Sequence, residues 1–559
     1  MTKKPWTFVR LPLIFMVSAL LASCGGSADT PDPLAVYKNQ EPKWESCDAY
    51  TMDDNYRNLI PLFGDRVSCA KIRVPLDYAK PAGDTIEVAM LKVAAGDQLQ
   101  HHSAIFLNPG GPGGDGIPLV LLVSWLWEKA DTSTSSGRLF REIPQNYNLV
   151  GFSPRGTGSS TQLACTSPET LLPTTIMAAD NSWDNAQNNL YNARLKAEAC
   201  LDNPLTPHIN SDTTARDMDI MRHLLHEEKL NYLGISYGTW LGTWYAGLFP
   251  ERVGRMLLIG NTDITTPLND TTLLQDLGMQ RVLDDVLAPY AAAHPTTYGL
   301  GSNVEDVRQV YRSFEKYLLD ATAHLLNNHI SASANAHNTL LALVAAQKLQ
   351  EKLNENNHAA TSEQEMNSWI SQATFVNYTG SKGNGTARSL ALTLNKDYFR
   401  KVRQETSTVN IGWSDAVSWA VQCNDAGTSY DAQAWVQTNR FDALLYPVFG
   451  GFTVENPCIY WGGPIVRRPA VENVARAGSI VMLQSQMDPW TLQEGALKSF
   501  AALPNASMIL VENDYTHFVI VPYGDECIDK PIAEYLIYGA RPQRMTTCKG
   551  KPLLTYVVP

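Results

Sequence analysis

The sequence predicts an α/β protein: a mostly parallel central sheet with helices on both faces and a large helical region inserted between two of its strands. Three observations predict it. From residue 67 onward, short apolar runs alternate with helical patterns, the rhythm of strand–helix–strand units. From about 264 to 445 the pattern changes to long helical stretches with few strand-like runs, and the alternation resumes at 479. The 559 residues exceed what one ordinary core holds, so an insertion into a sheet domain accounts for the length.

Taken in order, residues 1–23 read as an export leader rather than structure. Lys3, Lys4 and Arg10 form a basic start, and residues 11–22 an apolar core too short to span a bilayer. The core ends in Leu21-Ala22-Ser23-Cys24, which resembles the lipobox of bacterial lipoproteins and makes Cys24 the expected acylated first residue of the mature chain. The alternative is an ordinary signal peptide cleaved nearby. Residues 24–44, proline-rich and without apolar periodicity, read as a tether. The first part of the sheet domain is expected over 45–263, with strands at 86–93, 104–107, 147–152, 231–235 and 255–259 and helices at 212–225 and 239–249. The helical insertion spans 264–445, including helices at 304–326 and 340–353. The second part, 446–559, carries strands at 479–483 and 508–511 and a helix near 532–538.

Gly234-Ile235-Ser236-Tyr237-Gly238 is a G-x-S-x-G sequence between an expected strand and an expected helix, the context of a nucleophile elbow. The chemistry needs a tight turn that lifts a hydroxyl clear of the sheet over a helix N-terminus. Upstream, Asn108-Pro109-Gly110-Gly111-Pro112-Gly113-Gly114 directly follows a strand. Acyl transfer requires backbone N–H donors for the developing oxyanion, and Gly110, Gly111 and Tyr237 are the candidates. No Gly-Lys-Ser/Thr follows, which excludes a phosphate loop. Both motifs, in this order, indicate the α/β-hydrolase fold.

In that fold the chain order is nucleophile, acid, histidine. Of eleven histidines, ten lie before the serine or within the helical insertion; His517 alone follows the last core strand. Asp488, just past the strand at 479–483, is the expected acid, while Asp514 is close enough to His517 in sequence to shape its loop instead. The expected mechanism has His517 deprotonate Ser236, an acyl-enzyme form, and water release it.

A net charge of −12 with no later cluster of Lys and Arg excludes nucleic acid as a partner. No later stretch is long and apolar enough to cross a membrane, so membrane contact is expected through the lipid anchor, at the bacterial cell envelope. Metal is not expected, because His223-Leu224-Leu225-His226-Glu227 matches no zinc-helix order, and no cofactor is implied. Setting aside Cys24, eight of nine cysteines remain, the even number that an oxidising compartment favours. Their distribution suggests local pairs Cys47–Cys69, Cys165–Cys200, Cys423–Cys458 and Cys527–Cys548; buried free thiols are the alternative.

These residues resemble the tripeptidyl-aminopeptidase branch of the prolyl-aminopeptidase-like serine peptidases. The resemblance is carried by Val74-Pro75-Leu76-Asp77-Tyr78, the glycine loop, Pro154-Arg155-Gly156-Thr157-Gly158-Ser159-Ser160, the elbow, Gln422-Cys423-Asn424-Asp425 and the terminal Cys527 to Cys548 segment. It implies the same catalytic residues, Ser236, Asp488 and His517. It further implies release of short peptides from free N-termini, with the helical insertion as a cap restricting access. Three departures stand out: Asp115 where a serine is frequent, Ser153 where an aspartate is common, and Tyr515-Thr516 where a glycine often precedes the histidine. An exopeptidase must bind an ammonium group, and Asp263 and Asp425 are the candidates. A carboxylesterase or lipase would use the same machinery, and a silent binding protein is the reading from another class. Oligomeric state is left open.

Overall fold

The computed structural model describes residues 32–97, 103–355, 361–376 and 381–553. The expected leader and Cys24 lie outside the described residues, as do His101, His102 and His358. Eleven strands are described: β1 (Val67–Pro75), β2 (Thr85–Val93), β3 (Ala104–Asn108), β4 (Asn148–Ser153), β5 (Cys165–Thr170), β6 (Leu230–Ile235), β7 (Val253–Ile259), β8 (Thr408–Ile411), β9 (Ile480–Ser485), β10 (Ala506–Glu512) and β11 (Met545–Lys549).

Nine of them form one sheet in the order β1-β2-β4-β3-β6-β7-β9-β10-β11. β1 and β2 are antiparallel, β2 and β4 are antiparallel, and every later pairing is parallel. The inner strands are buried on both faces, as helix-covered parallel strands must be. Period-two alternation divides them cleanly: Phe106, Tyr232, Met256 and Met482 enter the core on one face, while Leu107, Leu233, Leu257 and Leu483 enter the core on the other.

A third core of helices is built between β7 and β9 around Leu318, Leu326, Leu340, Val344 and Leu394. The stretch expected as one helix over 304–326 is two, Val304–Arg312 and Lys316–His329. Glu315 interrupts it: extended, it accepts the Leu318 N–H and starts the second helix as its cap. The small β5–β8 sheet joins residues before the elbow to the helical region. The helix Trp183–Leu201, within the expected first core part, packs Ala186 and Leu190 with Val436 and Val454, while its Leu195, Ala197, Ala199 and Cys200 enter the core on one face of the sheet.

The expected tether also needs correction. Residues 34–45 lie against the sheet edge: Tyr37 is buried, its hydroxyl donates to the Pro81 carbonyl at 2.7 Å, and the Gln40 amide exchanges hydrogen bonds with the Arg73 backbone. An amide side chain that mimics a neighbouring strand satisfies the open edge of β1. The four cysteine pairs are joined as disulfides, Cys47–Cys69, Cys165–Cys200, Cys423–Cys458 and Cys527–Cys548.

Candidate active site

Ser236 sits at the tip between β6 and the helix Tyr237–Leu248 with φ 56° and ψ −124°, a conformation non-glycine residues rarely hold. Its N–H donates to Ile259 O at the end of β7, 2.8 Å away, so the turn is anchored to the neighbouring strand. The turn is tight enough that a Cβ on Gly234 would lie 2.4 Å from Gly238 O. Gly110, at φ +89°, presses on the elbow from the other side; a Cβ there would lie 2.2 Å from Ile235 O and 2.9 Å from Tyr237 N. Glycine is thus required twice by close approach of backbone to backbone.

The expected oxyanion donors separate on inspection. The Gly110 N–H is committed to Asn108 Oδ1 at 3.0 Å, which corrects its assignment: its part is clearance, not donation. The Gly111 and Tyr237 N–H groups remain as the donor candidates, the latter at the first position of the elbow helix, where orphan N–H groups gather.

His517 lies in the loop after β10. Its Nδ1 meets both Asp488 oxygens at 2.9 Å, so with Nδ1 donating, Nε2 is the free acceptor. Asp488, fully buried, also accepts the Trp490 and Thr491 N–H groups at 2.9 Å and the Thr491 hydroxyl at 2.8 Å. The Thr491 oxygen lies 3.2 Å from His517 Nδ1, and the Trp490 ring packs edge-on against the imidazole at 5.0 Å. Thr491 and Trp490 are site residues that the sequence reading missed; their only signal was position directly after Asp488. Asp514 accepts from Thr516 N and the Tyr523 hydroxyl, holding the loop without reaching the ring.

Ser236 and His517 are both held at the end of β7, next to Gly260, the residue after that strand. Ile259 O holds Ser236, and a Cβ on Gly260 would lie 3.3 Å from His517 Nδ1 and Cε1. Among the described residues the ring's hydrogen bonds run from Nδ1 only, and none joins it directly to the Ser236 hydroxyl. Such bonds commonly tighten when substrate binds.

The two carboxylates expected to receive an ammonium group are already engaged. Asp263 accepts from Thr265 N, from the Thr265 and Thr266 hydroxyls, and faces Lys498 Nζ at 3.3 Å. Burial opposes its charge, but these partners prevail and hold its carboxyl below the usual range. Asp425, buried, accepts Ser211 N at 2.7 Å, the Ser211 hydroxyl at 2.6 Å and Trp240 Nε1 at 2.9 Å. Both carboxylates thus have partners within the protein. Two of the departures prove to be partners: the Ser153 hydroxyl donates to Asp115 Oδ1 at 2.9 Å, and the same oxygen caps the helix Gly116–Glu128. Among the described residues no group of three His, Cys, Asp or Glu is placed to hold a metal ion.

With this geometry in view, residues 446–548, which carry Asp488 and His517, match the family described as TAP-like protein. The chain is a serine hydrolase of the α/β-hydrolase class. Across 498 residues the hydrolase is 26% identical to a tripeptidyl aminopeptidase of Streptomyces coelicolor, covering 86% of this chain and 83% of that one. It is also 26% identical to the serine protease Hip1 of Mycobacterium tuberculosis, over 95% of this chain and 96% of the relative. A carboxylesterase B of the same organism is 27% identical, over 94% and 92%.

Proposed function

We propose that the hydrolase is an exported serine exopeptidase that releases short peptides from free N-termini through an acyl-enzyme on Ser236. The observations that support the chemistry are the Asp488–His517 pair, bonded through Nδ1, and the strained backbone of Ser236 at its elbow. In this reading His517 takes the Ser236 proton as the hydroxyl attacks the scissile carbonyl. The Gly111 and Tyr237 N–H groups stabilise the oxyanion, the imidazolium protonates the leaving amine, and water then releases the acyl peptide. Asp488 keeps the imidazole in the productive tautomer throughout.

The peptide substrate is supported by the tripeptidyl aminopeptidase and Hip1 relatives. Location outside the cytosol is supported by the four disulfides, which persist in oxidising compartments, and attachment to a membrane by the Cys24 sequence. The carboxylesterase relative favours a second reading, ester hydrolysis by the same machinery.

A panel of free-amine and N-blocked peptide fluorogens beside simple esters, assayed with wild type and Ser236→Ala, separates the two. The exopeptidase reading expects free-amine peptides to be cleaved best and Ser236→Ala to be inactive on all. Preference for blocked peptides or esters would overturn it.

A further inference from the structure

Asp425 lies far from Ser236 in sequence yet is bonded to the first turn of its helix at two points. Trp240 Nε1 donates to Asp425 Oδ2 at 2.9 Å. The second point runs through Ser211. Its hydroxyl donates to the same Oδ2 at 2.6 Å and lies 2.7 Å from the Tyr237 hydroxyl. A serine hydroxyl has one proton, already given to Asp425, so the Tyr237 O–H is the donor in that contact. The relay is directional: Tyr237 to Ser211 to Asp425. Tyr237 and Trp240 are three residues apart on one helical face, so a single carboxylate braces the turn that begins with Ser236 and the Tyr237 N–H.

The brace is itself rigid. Cys423 is in a disulfide with Cys458. The Asn424 amide donates to Thr206 O at 2.7 Å and Ile209 O at 2.9 Å while accepting from Trp461 Nε1 at 2.7 Å. Two consecutive residues thus pin the end of the helix Trp413–Asp425 before Asp425 reaches across. Strained backbone persists only where its surroundings over-determine it, and the Ser236–Tyr237 peptide is such a case. The guanidinium of Arg468, stacked 4.0 Å over the Trp240 ring, is the cation facing this network.

We infer that Asp425 is a positioning residue of the oxyanion hole: through Ser211 and Trp240 it holds the elbow turn so that the Tyr237 N–H meets the developing oxyanion. The inference rests on Ser236 as the nucleophile but not on the choice between peptide and ester. It predicts a loss in kcat on every substrate, whereas an ammonium-binding Asp425 would raise KM for free-amine peptides alone.

The test uses the full chain with a free-amine tripeptide fluorogen, a small p-nitrophenyl ester and an alkyl fluorophosphonate that labels the serine. Asn at 425 keeps the shape, but its one acceptor oxygen cannot serve both positions: with that oxygen toward the Ser211 hydroxyl and Trp240 Nε1, its NH2 meets the Ser211 N–H, donor against donor. Asp425→Asn should therefore lower kcat on peptide and ester alike by about ten- to a hundredfold, part of the value of one oxyanion donor. KM should stay within about twofold, and labelling should slow in parallel with kcat. Tyr237→Phe and Ser211→Ala remove single links and should show smaller losses of the same kind; combined with Asp425→Asn they should add little, as members of one network do. Should Asp425→Asn fail to fold, these two variants carry the test. Unchanged kcat in them, or a defect confined to KM for free-amine peptides, overturns the inference. Failure of wild type to be labelled at Ser236 would instead defeat the serine-hydrolase chemistry itself, while labelling and ester cleavage without peptide cleavage would defeat only the exopeptidase reading.

Discussion

At the scale of single residues, Asp488 carries the largest expectation. It receives two backbone N–H groups, one hydroxyl and one imidazole, so Asp488→Asn preserves the volume but returns the wrong hydrogen-bond polarity to His517. Steady-state kinetics should show kcat down by about a thousandfold or more with the fold intact. Thr491→Val removes one buried hydroxyl bond, about 1 kcal/mol, and should cost about fivefold in kcat. Asp115 and Ser153 looked in sequence like two unrelated departures; their 2.9 Å contact makes them an exchanged pair. Asp115→Ala should therefore lower stability by about 1–2 kcal/mol through the lost helix cap and the unpaired serine, whereas the double exchange Asp115→Ser with Ser153→Asp should recover much of it in thermal unfolding. Glu227 gives a pH prediction. Burial pushes its carboxyl up to about 7, although the Ala104 N–H bonded to it opposes the shift. The folded state thus holds this proton more tightly than the unfolded chain, so the contribution is complete below the ordinary value of 4.5 and is lost as pH rises to about 7. Melting temperatures measured at pH 5 and pH 8 should fall less on alkalinisation in Glu227→Gln than in wild type.

Among elements, the loop carrying His517 is held from the helical layer as much as from the sheet. His517 N donates to Ser331 O at 2.8 Å, and Ser333 bonds Thr516 Oγ1 through its N–H at 3.2 Å and its hydroxyl at 2.9 Å. Tyr515 enters the core of the helical layer. The Tyr515-Thr516 departure thereby acquires a reason: these side chains moor the loop where a glycine would not. Thr516→Val with Ser333→Ala should loosen the loop, lowering kcat several-fold and raising amide exchange over the loop that carries His517, with little change in the global transition. The inner strands were legible because both faces are buried and their apolar runs are continuous. β11 was not: Met545-Thr546-Thr547-Cys548-Lys549 is a polar edge strand, recognisable only from its register beside β10. β5 and β8 escaped for the same reason, being short, partly exposed and paired across more than two hundred residues.

For the whole molecule, sheet and helical layer are fastened by local disulfides and by contacts distant in sequence. Cys165–Cys200 closes a loop of 35 residues that carries β5 and the helix Trp183–Leu201. Replacing both cysteines by serine should cost about 2–4 kcal/mol, read as a lowered melting temperature and earlier proteolysis around 165–200. By itself the sequence determined the order of the inner strands along the chain, the glycine-flanked serine, the late histidine, the acid before it and the even set of cysteines, because each is a matter of local pattern or chain order. Only the tertiary structure decided that the helix Trp183–Leu201 divides its packing between the sheet core and Val436 and Val454, that the Gly110 N–H is already taken, and that Asp263 and Asp425 have partners within the protein. The physical reason is that a hydrogen bond depends on distance and direction between groups such as Asp425 and Trp240, whose separation along the chain says nothing of their separation in space.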